Sequence, residues 1–233
     1  MKKLFLFMSL AVAAASYGQK DKTYYSLSDA QKNPSKVYIL NLANSQLKEI
    51  PKDITLFTNL RELNVSGNQI TAVPENIGEL AELTRLDISK NQVTKLPESI
   101  GKLANLQQLI LTKNKLTALP ESIGKLVNMQ ELAAGNNRLA SVPESIGKMV
   151  LLQSLYLNNN TLTTLPEGLG KLKSLTVLEL QNNELISLPK SIIRLKLLET
   201  MNISNNADLV IANEQQRFVK KYTGEDPKEK PKK

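Results

Sequence analysis

The chain has 233 residues with 30 basic and 22 acidic side chains, a net charge of +8, and no Cys, His or Trp. The absence of Cys excludes a disulfide framework, a Cys nucleophile and a Cys-ligated zinc site. The absence of His excludes a Ser-His-Asp triad and an imidazole general base. Any remaining catalytic chemistry would have to use carboxylates, Lys, Tyr, Ser or Thr.

The first residues have the three-part pattern of a secretory signal peptide. Two lysines precede an apolar run over 4–15, and mostly small residues follow it. The run is shorter than the ~20 apolar residues that span a membrane, and a buried N-terminal helix is the alternative. We assign 1–18 to the signal, with cleavage after Ala15 or Gly18. Because no Cys follows the run, a lipoprotein anchor is not expected. We expect an exported bacterial protein, periplasmic or secreted, without a transmembrane segment.

The next segment, 19–36, is predicted to be an N-terminal helical cap. Ser26 or Ser28 can begin a short helix, and Pro34 can end it. Such a cap would cover the first apolar surface of the repeats that follow.

A repeat of 23 residues occupies most of the chain. Seven of the ten prolines lie 23 residues apart, at Pro51, Pro74, Pro97, Pro120, Pro143, Pro166 and Pro189. With Leu83 as position 1, apolar residues recur at positions 1, 4, 6, 11, 14, 18 and 21. Units begin at 37, 60, 83, 106, 129, 152, 175 and 198, and together they cover 37–209. One unit cannot bury its apolar set alone, so the units must stack.

Each unit reads as a strand followed by a short helical turn. Positions 4 and 6 alternate apolar with polar residues, so stacking predicts eight parallel strands. After the proline, a Glu lies in the first turn, and in four units a Lys follows four residues later, which favours a helix. A Gly at position 19 ends the turn, where positive φ is often needed. Ile193 replaces this Gly, so the seventh turn is expected to differ.

The pattern Leu-x-x-Leu-x-Leu-x-x-Asn-x-Leu-x-x-Leu-Pro-x-x-Ile-Gly-x-Leu-x-x resembles the leucine-rich repeat family over 37–209, in the 23-residue type of bacterial and Ras-scaffold proteins. The resemblance implies a curved α/β solenoid with a parallel sheet on the concave face, short helical or irregular turns on the convex face, and helical caps at both ends. It also implies a structural role for an asparagine ladder at position 9, rather than a metal or glycan site. The ladder comprises Asn68, Asn91, Asn114, Asn137, Asn160, Asn183 and Asn206.

The C-terminal end is predicted to be a helical cap over 210–222 and a basic disordered tail over 223–233. Ile211, Phe218 and Tyr222 would share one helical face. The tail is charged and has nothing to bury.

The variable positions between the buried leucines are the candidate binding site, because partners of this family usually bind the concave sheet. An apolar centre, Ile110, Ala133 and Tyr156, interrupts a polar stripe, and basic residues lie beside it. Aromatic and Arg side chains are common binding anchors, although a solvated sheet face with stray apolar residues is the alternative. The candidates are Arg85, Asp87, Lys90, Gln108, Ile110, Lys113, Glu131, Ala133, Tyr156, Val177 and Glu179.

The sequence therefore predicts a non-enzymatic scaffold that binds a protein or peptide on its concave face. Adhesion to an anionic cell-wall glycan, lipopolysaccharide or membrane through the basic tail is one alternative. An intracellular Ras-type scaffold is another if the signal peptide is misassigned. We expect no cofactor, no metal and no nucleic-acid partner, since the repeats lack a basic stripe interleaved with aromatic residues.

Overall fold

The sheet runs the whole length of the stack. The computed structural model describes residues 22–223, so the predicted signal peptide and the tail after Thr223 lie outside the described residues. Nine parallel strands are ordered as they occur in the chain. The strands are β1 (Thr23–Tyr24), β2 (Ile39–Asn41), β3 (Glu62–Asn64), β4 (Arg85–Asp87), β5 (Gln108–Ile110), β6 (Glu131–Ala133), β7 (Ser154–Tyr156), β8 (Val177–Glu179) and β9 (Thr200–Asn202). The predicted leucine-rich repeat solenoid is confirmed.

The strand count is one higher than the eight predicted from the repeats. The additional strand, β1, lies in the segment 19–36 that was predicted to be a helical cap, before its short helix, and pairs with β2 through Thr23 and Ile39. An edge strand presents unpaired N–H and C=O groups, and β1 covers those of β2. The helix α1 (Leu27–Gln31) follows, with Ser26 as its N-cap accepting from the Asp29 N–H at 3.1 Å.

The repeats stack in register, which places equivalent leucines one above another. Leu63, Leu86 and Leu109 at position 4 pair across β3, β4 and β5. The leucines at positions 1 and 4 form one continuous apolar core with the other buried side chains, from Tyr24 to Val219. Successive units therefore contribute equivalent layers to one core, as expected for units that cannot bury their apolar set alone.

Position 9 supplies the polar part of this core. The Asn91 Oδ1 accepts from the Ile70 N–H at 2.9 Å, and its Nδ2 donates to the carbonyls of Val65 at 2.9 Å and Ile88 at 3.0 Å. One side chain thus satisfies backbone groups of its own turn and of the preceding repeat. Asn68 and the later ladder residues repeat this arrangement.

A left-handed residue turns the chain after each repeat strand. The φ angles at position 8 lie between 54° and 67°, at Asn44, Gly67, Lys90, Lys113, Asn136, Asn159, Asn182 and Asn205. Only Gly and Asn adopt this conformation readily. The first turn, where Ser45 replaces the ladder Asn, contains a second left-handed residue, Gln46.

The opposite face consists of short 3-10 helices, each of which begins directly after a proline. They span Lys52–Leu56, Glu75–Glu79, Glu98–Lys102, Glu121–Lys125, Glu144–Lys148, Glu167–Lys171 and Lys190–Arg194. The predicted positive φ at the position-19 glycines is wrong, since among the described residues only Gly67 is a glycine with positive φ. Gly101 is needed because a Cβ there would lie 2.5 Å from the Ser122 carbonyl oxygen of the next repeat.

The seventh 3-10 helix has the same length as the others, so the difference expected from Ile193 is absent in that respect. No further 3-10 helix packs beyond it, because the chain leaves the repeat after Asn206. The close approach that demands Gly elsewhere is therefore missing at Ile193.

Two of the glutamates after the prolines, Glu98 and Glu167, accept hydrogen bonds from the next repeat. The predicted i,i+4 pairs with Lys do not form, since the ion pairs recorded between residues 22 and 223 are Lys32–Asp29 and Arg85–Asp87. A 3-10 helix aligns residues three apart instead. The Glu167 carboxylate accepts from the N–H groups of Lys190 at 2.8 Å and Ser191 at 2.9 Å. Hydrogen bonding by the Ser191 side chain, followed by the N–H groups of Ser191 and Lys190, holds the pKa of Glu167 below its ordinary value.

The helix α2 (Asn213–Thr223) closes the C-terminal end. Val219 is buried against the last repeat, and the Tyr222 hydroxyl donates to the Leu198 carbonyl at 3.0 Å. Gln215 is also buried, and its amide donates to the carbonyls of Leu188 at 3.2 Å and Pro189 at 2.9 Å. The helix is thus joined to the last repeats by apolar packing and by hydrogen bonds from its side chains to main-chain carbonyls.

Replacing Gln215 with Leu should lower the free energy of unfolding by about 1–3 kcal/mol, because it removes the donor to two buried carbonyls. Urea unfolding measures the change, and Gln216→Leu is the control one residue away. Equal effects of the two substitutions would contradict this role.

Replacing Glu167 with Gln should lower Tm at neutral pH. A carboxyl whose folded pKa is depressed stabilises the fold above its unfolded pKa of about 4.3, and that contribution is lost as the pH falls through the folded value. The Tm difference between the two proteins should therefore shrink on acidification, as measured by circular dichroism. Glu184→Gln is the exposed control, and a pH-independent difference would refute this cause.

Candidate functional site

The predicted binding residues lie on the concave face of β4–β8 and in the turns that follow these strands. The parallel register pairs Ile110 with Ala133, Ala133 with Tyr156, and Tyr156 with Glu179. These four position-5 side chains form one row across the sheet, which we call the central row. Because each lies on an adjacent strand, neighbours are about 4.8 Å apart.

The apolar part of the central row is partly shielded from solvent by its own members. Ala133 is only 8% exposed between its larger neighbours, and Tyr156 is half-buried. This burial raises the pKa of the Tyr156 phenol, with a smaller raising effect from the carboxylates of Glu131 and Glu179 and an opposing hydrogen bond with Ser154. The phenol therefore stays protonated near neutral pH and can donate to a partner.

The C-terminal part of the site is acidic and incompletely paired. Burial raises the pKa of Glu179, while hydrogen bonds with the side chains of Gln181 and Asn202 act in the opposite direction. The Gln181 Oε1 is buried and accepts no hydrogen bond. This end of the site thus has a free acceptor beside a half-buried carboxyl.

The N-terminal part of the site is basic, and its basic side chains differ in whether they are already paired within the protein. Arg85 donates to the Gln108 Oε1 and lies 3.6 Å from Asp87, so its guanidinium is held along the sheet. Lys90 and Lys113 are exposed and form no ion pair with any residue that the structure describes. Both have left-handed backbone conformations, at the position where the other units have Asn or Gly. This conformation is less favourable for Lys than for Asn or Gly.

Asp87 has a structural role that the sequence analysis missed. Its Oδ1 accepts from the Ser89 N–H at 3.0 Å, two residues along the chain. Asn41, Asn64 and Asn202 form the same bond at position 5 of their repeats. The central row has no such acceptor in its four units. The signal was present in the sequence as the change from Asn or Asp at position 5 to Ile, Ala, Tyr and Glu.

The two remaining predicted residues, Val177 and Glu131, lie beside the central row. Val177 and Glu131 are position-3 residues, and both are half-buried. Ser154 lies between them in the register of β6, β7 and β8. They border the central row on the side opposite the left-handed turns.

A hollow of about 230 Å³ lies at the N-terminal end of the concave face, and the sequence analysis did not predict it. Its lining includes Tyr25, Asn41, Asn64 and Arg85. Tyr25 is 72% exposed, the largest fraction among the exposed large apolar side chains of residues 22–223. Arg85 therefore belongs both to this hollow and to the basic part of the predicted site.

The described residues contain no helix that is long and apolar enough to cross a membrane. Within the same range, no three acidic side chains lie together as a metal-binding group.

Comparisons with known proteins agree with this geometry. Residues 76–160 match the leucine-rich repeat region description, and 35–93 and 144–207 match the leucine rich repeat description. A search of curated proteins finds no match.

Several solved structures are similar to this chain in sequence and shape. A leucine-rich repeat protein of Leptospira interrogans is 35% identical with a TM-score of 0.78, covering 86% of this chain and 51% of the other. A TDR receptor is 32% identical with a TM-score of 0.63, covering 67% and 28%.

The ectodomain of the receptor kinase GASSHO1/SCHENGEN3 from Arabidopsis thaliana, solved in complex with CASPARIAN STRIP INTEGRITY FACTOR 2, is 32% identical with a TM-score of 0.66, covering 72% and 21%. The chain thus spans about half of the Leptospira protein and less than a third of each receptor chain. The repeats, the sheet and these likenesses together show that the chain belongs to the leucine-rich repeat family.

Proposed function

We propose that the protein is an exported, non-enzymatic binding module that holds a peptide segment of a partner protein across the concave face of β4–β8. The observation that carries the proposal is the central row, Ile110, Ala133, Tyr156 and Glu179, which is apolar at its middle and lacks the local hydrogen bond of the other units. An aromatic side chain at the centre of an exposed face is a common binding anchor.

The charges around the central row favour one orientation of the ligand. Lys90 and Lys113 follow β4 and β5 at the N-terminal side, Glu131 lies on the middle strand β6, and Glu179 lies on β8 at the C-terminal side. An acidic ligand side chain would be attracted to the first pair and a basic one to the second. Such complementarity contributes mainly to specificity and association rate.

The relatives support a binding role. One ectodomain with 32% identity was solved in complex with CASPARIAN STRIP INTEGRITY FACTOR 2, and a second relative is described as a receptor. Leucine-rich repeat proteins are generally non-catalytic, and stacked repeats offer an extended surface suited to macromolecular partners.

A second candidate is adhesion to an anionic surface through the C-terminal tail. Lys220 and Lys221 are exposed in the last turn of α2, and residues 224–233 after them carry four Lys against three acidic residues. Basic clusters of this kind attract anionic lipids by about 1 kcal/mol per charge close to the surface.

Deleting 224–233 should remove salt-sensitive adsorption to vesicles that contain anionic lipid, as measured by sedimentation at low and high salt. The thermal unfolding of the deletion variant should remain that of the full chain, since the segment lies beyond the repeats. Unchanged adsorption of the deletion variant would refute the tail as the attachment site.

The concave-face proposal is tested with a phage-displayed library of random octapeptides selected on the full chain. Tyr156→Ala should weaken binding of the enriched peptides by about 2 kcal/mol, or roughly 30-fold. Lys113→Asn should weaken binding of acidic peptides without destabilising the fold, because Asn occupies this left-handed position in other repeats.

Lys125→Ala on the convex face is the control and should bind the peptides as the parent does. If no peptide is enriched, or if the concave and convex substitutions have equal effects, the proposed function is wrong.

A further inference from the structure

The repeats differ in what happens to one backbone N–H, that of position 7. In four units a side chain at position 5 accepts from this N–H, with distances of 3.1 Å at Ala43, 2.9 Å at Ser66, 3.0 Å at Ser89 and 3.1 Å at Ser204. The accepting side chains belong to the concave face, so the position-7 N–H points toward that face.

In the four consecutive units of the central row, this N–H has no acceptor within the described chain. The residues concerned are Thr112, Gly135, Asn158 and Gln181. Their position-5 partners are Ile110, Ala133, Tyr156 and Glu179, and none of these forms the bond to the N–H two residues on. Four main-chain donors therefore lie in line across adjacent repeats.

The unpaired donors are positioned where an acceptor would stabilise the protein. Gly135 is a buried residue, and Asn158 packs so closely that a Cβ on Gly135 would lie 2.5 Å from the Asn158 Oδ1. Thr112, Asn158 and Gln181 are only half-buried, so water can reach them. A ligand that supplies acceptors would pair the buried N–H of Gly135, which otherwise costs about 1–3 kcal/mol, and would replace water at the other three.

We infer that the N–H groups of Thr112, Gly135, Asn158 and Gln181 bind main-chain carbonyls of an extended peptide that runs across the strands. The inference rests on the proposed function and specifies how the ligand is held. Recognition through main-chain groups supplies affinity, while the side chains at positions 5 and 8 supply specificity, as in other modes of peptide binding.

The spacing of the donors sets the length of the bound segment. Strands lie about 4.8 Å apart, so four donors span about 14 Å. An extended peptide rises about 3.3 Å per residue, and carbonyls on one edge recur every second residue, so three of them span about 13 Å. A segment of about five residues therefore matches the length of the row. Its outer carbonyls meet the N–H groups of Thr112 and Gln181, and its middle carbonyl lies between those of Gly135 and Asn158, because the two spacings differ.

One observation favours a neutral peptide carbonyl over a carboxylate ligand. The carboxyl groups of Glu131 and Glu179 border the row, so an added negative charge would be repelled there.

Hydrogen exchange followed by NMR tests the row in the full chain without ligand. The amides of Thr112, Asn158 and Gln181 should exchange faster than the capped amides of Ser66 and Ser204. Equal protection of the two sets would overturn the inference, since the donors would then not be open.

Matched substitutions test the row in binding. Asn at position 110 or 179 should accept from the N–H two residues along the chain, as Asn64 does, and so make that N–H unavailable to a ligand. Gln carries the same amide one methylene further out and should not form this bond. Exchange at Thr112 and Gln181 should slow in Ile110→Asn and Glu179→Asn, respectively. The Gln variants should leave it unchanged.

Peptides enriched in the display experiment are then synthesised with acetylated and amidated ends. The two Asn variants should bind them about tenfold more weakly than the Gln variants, corresponding to about 1.4 kcal/mol. Equal binding by the Asn and Gln variants, together with a loss in Tyr156→Ala, would overturn the donor row and leave the concave-face function standing. A requirement for a free peptide carboxylate would also overturn it, and a failure to enrich any peptide would overturn both proposals.

Discussion

The whole structure depends on the buried amide at position 9. Each repeat turns sharply after three residues of strand, which leaves backbone donors and acceptors inside an apolar core. The side chain of Asn91 supplies both an acceptor and a donor to those groups, and it bonds to the preceding repeat as well as to its own turn. Since a buried unpaired amide or carbonyl is costly, loss of one ladder amide would destabilise two adjacent repeats at once.

The part of the fold that could be predicted is the part formed by residues that recur in every repeat. The 23-residue spacing predicted the parallel sheet and the leucine core, because a unit of this size has only its neighbours to pack against. The strand β1 could not be predicted, since Thr23 and Tyr24 belong to no repeat and pair only because β2 would otherwise be an edge. The role of Gly101 was also misjudged, because the residue is needed for its close approach to the Ser122 carbonyl of the next repeat and not for its own φ.

The candidate site, too, could be predicted from the sequence only in part. Its residues could be selected from the sequence, because the fold leaves positions 3, 5 and 8 free of leucine. Their roles required the structure: Asp87 proved to accept from its own turn, and Lys90 and Lys113 proved to be held in left-handed conformations. The uncapped donors of the central row could not be seen without the Asn64 bond as a reference.

The contact between successive 3-10 helices has a further consequence for how the protein can change. Gly101 meets Ser122, and Gly124 meets Ser145, through almost the same approach of 2.3–2.5 Å from a would-be Cβ to a carbonyl oxygen. The same contact recurs at the other three position-19 glycines, so the junctions between the second and the seventh repeat are nearly equivalent. Duplication or loss of one of these 23-residue units would therefore form an interface of the same kind. The length of the concave face can therefore be altered by recombination between copies, while the two end caps remain as they are.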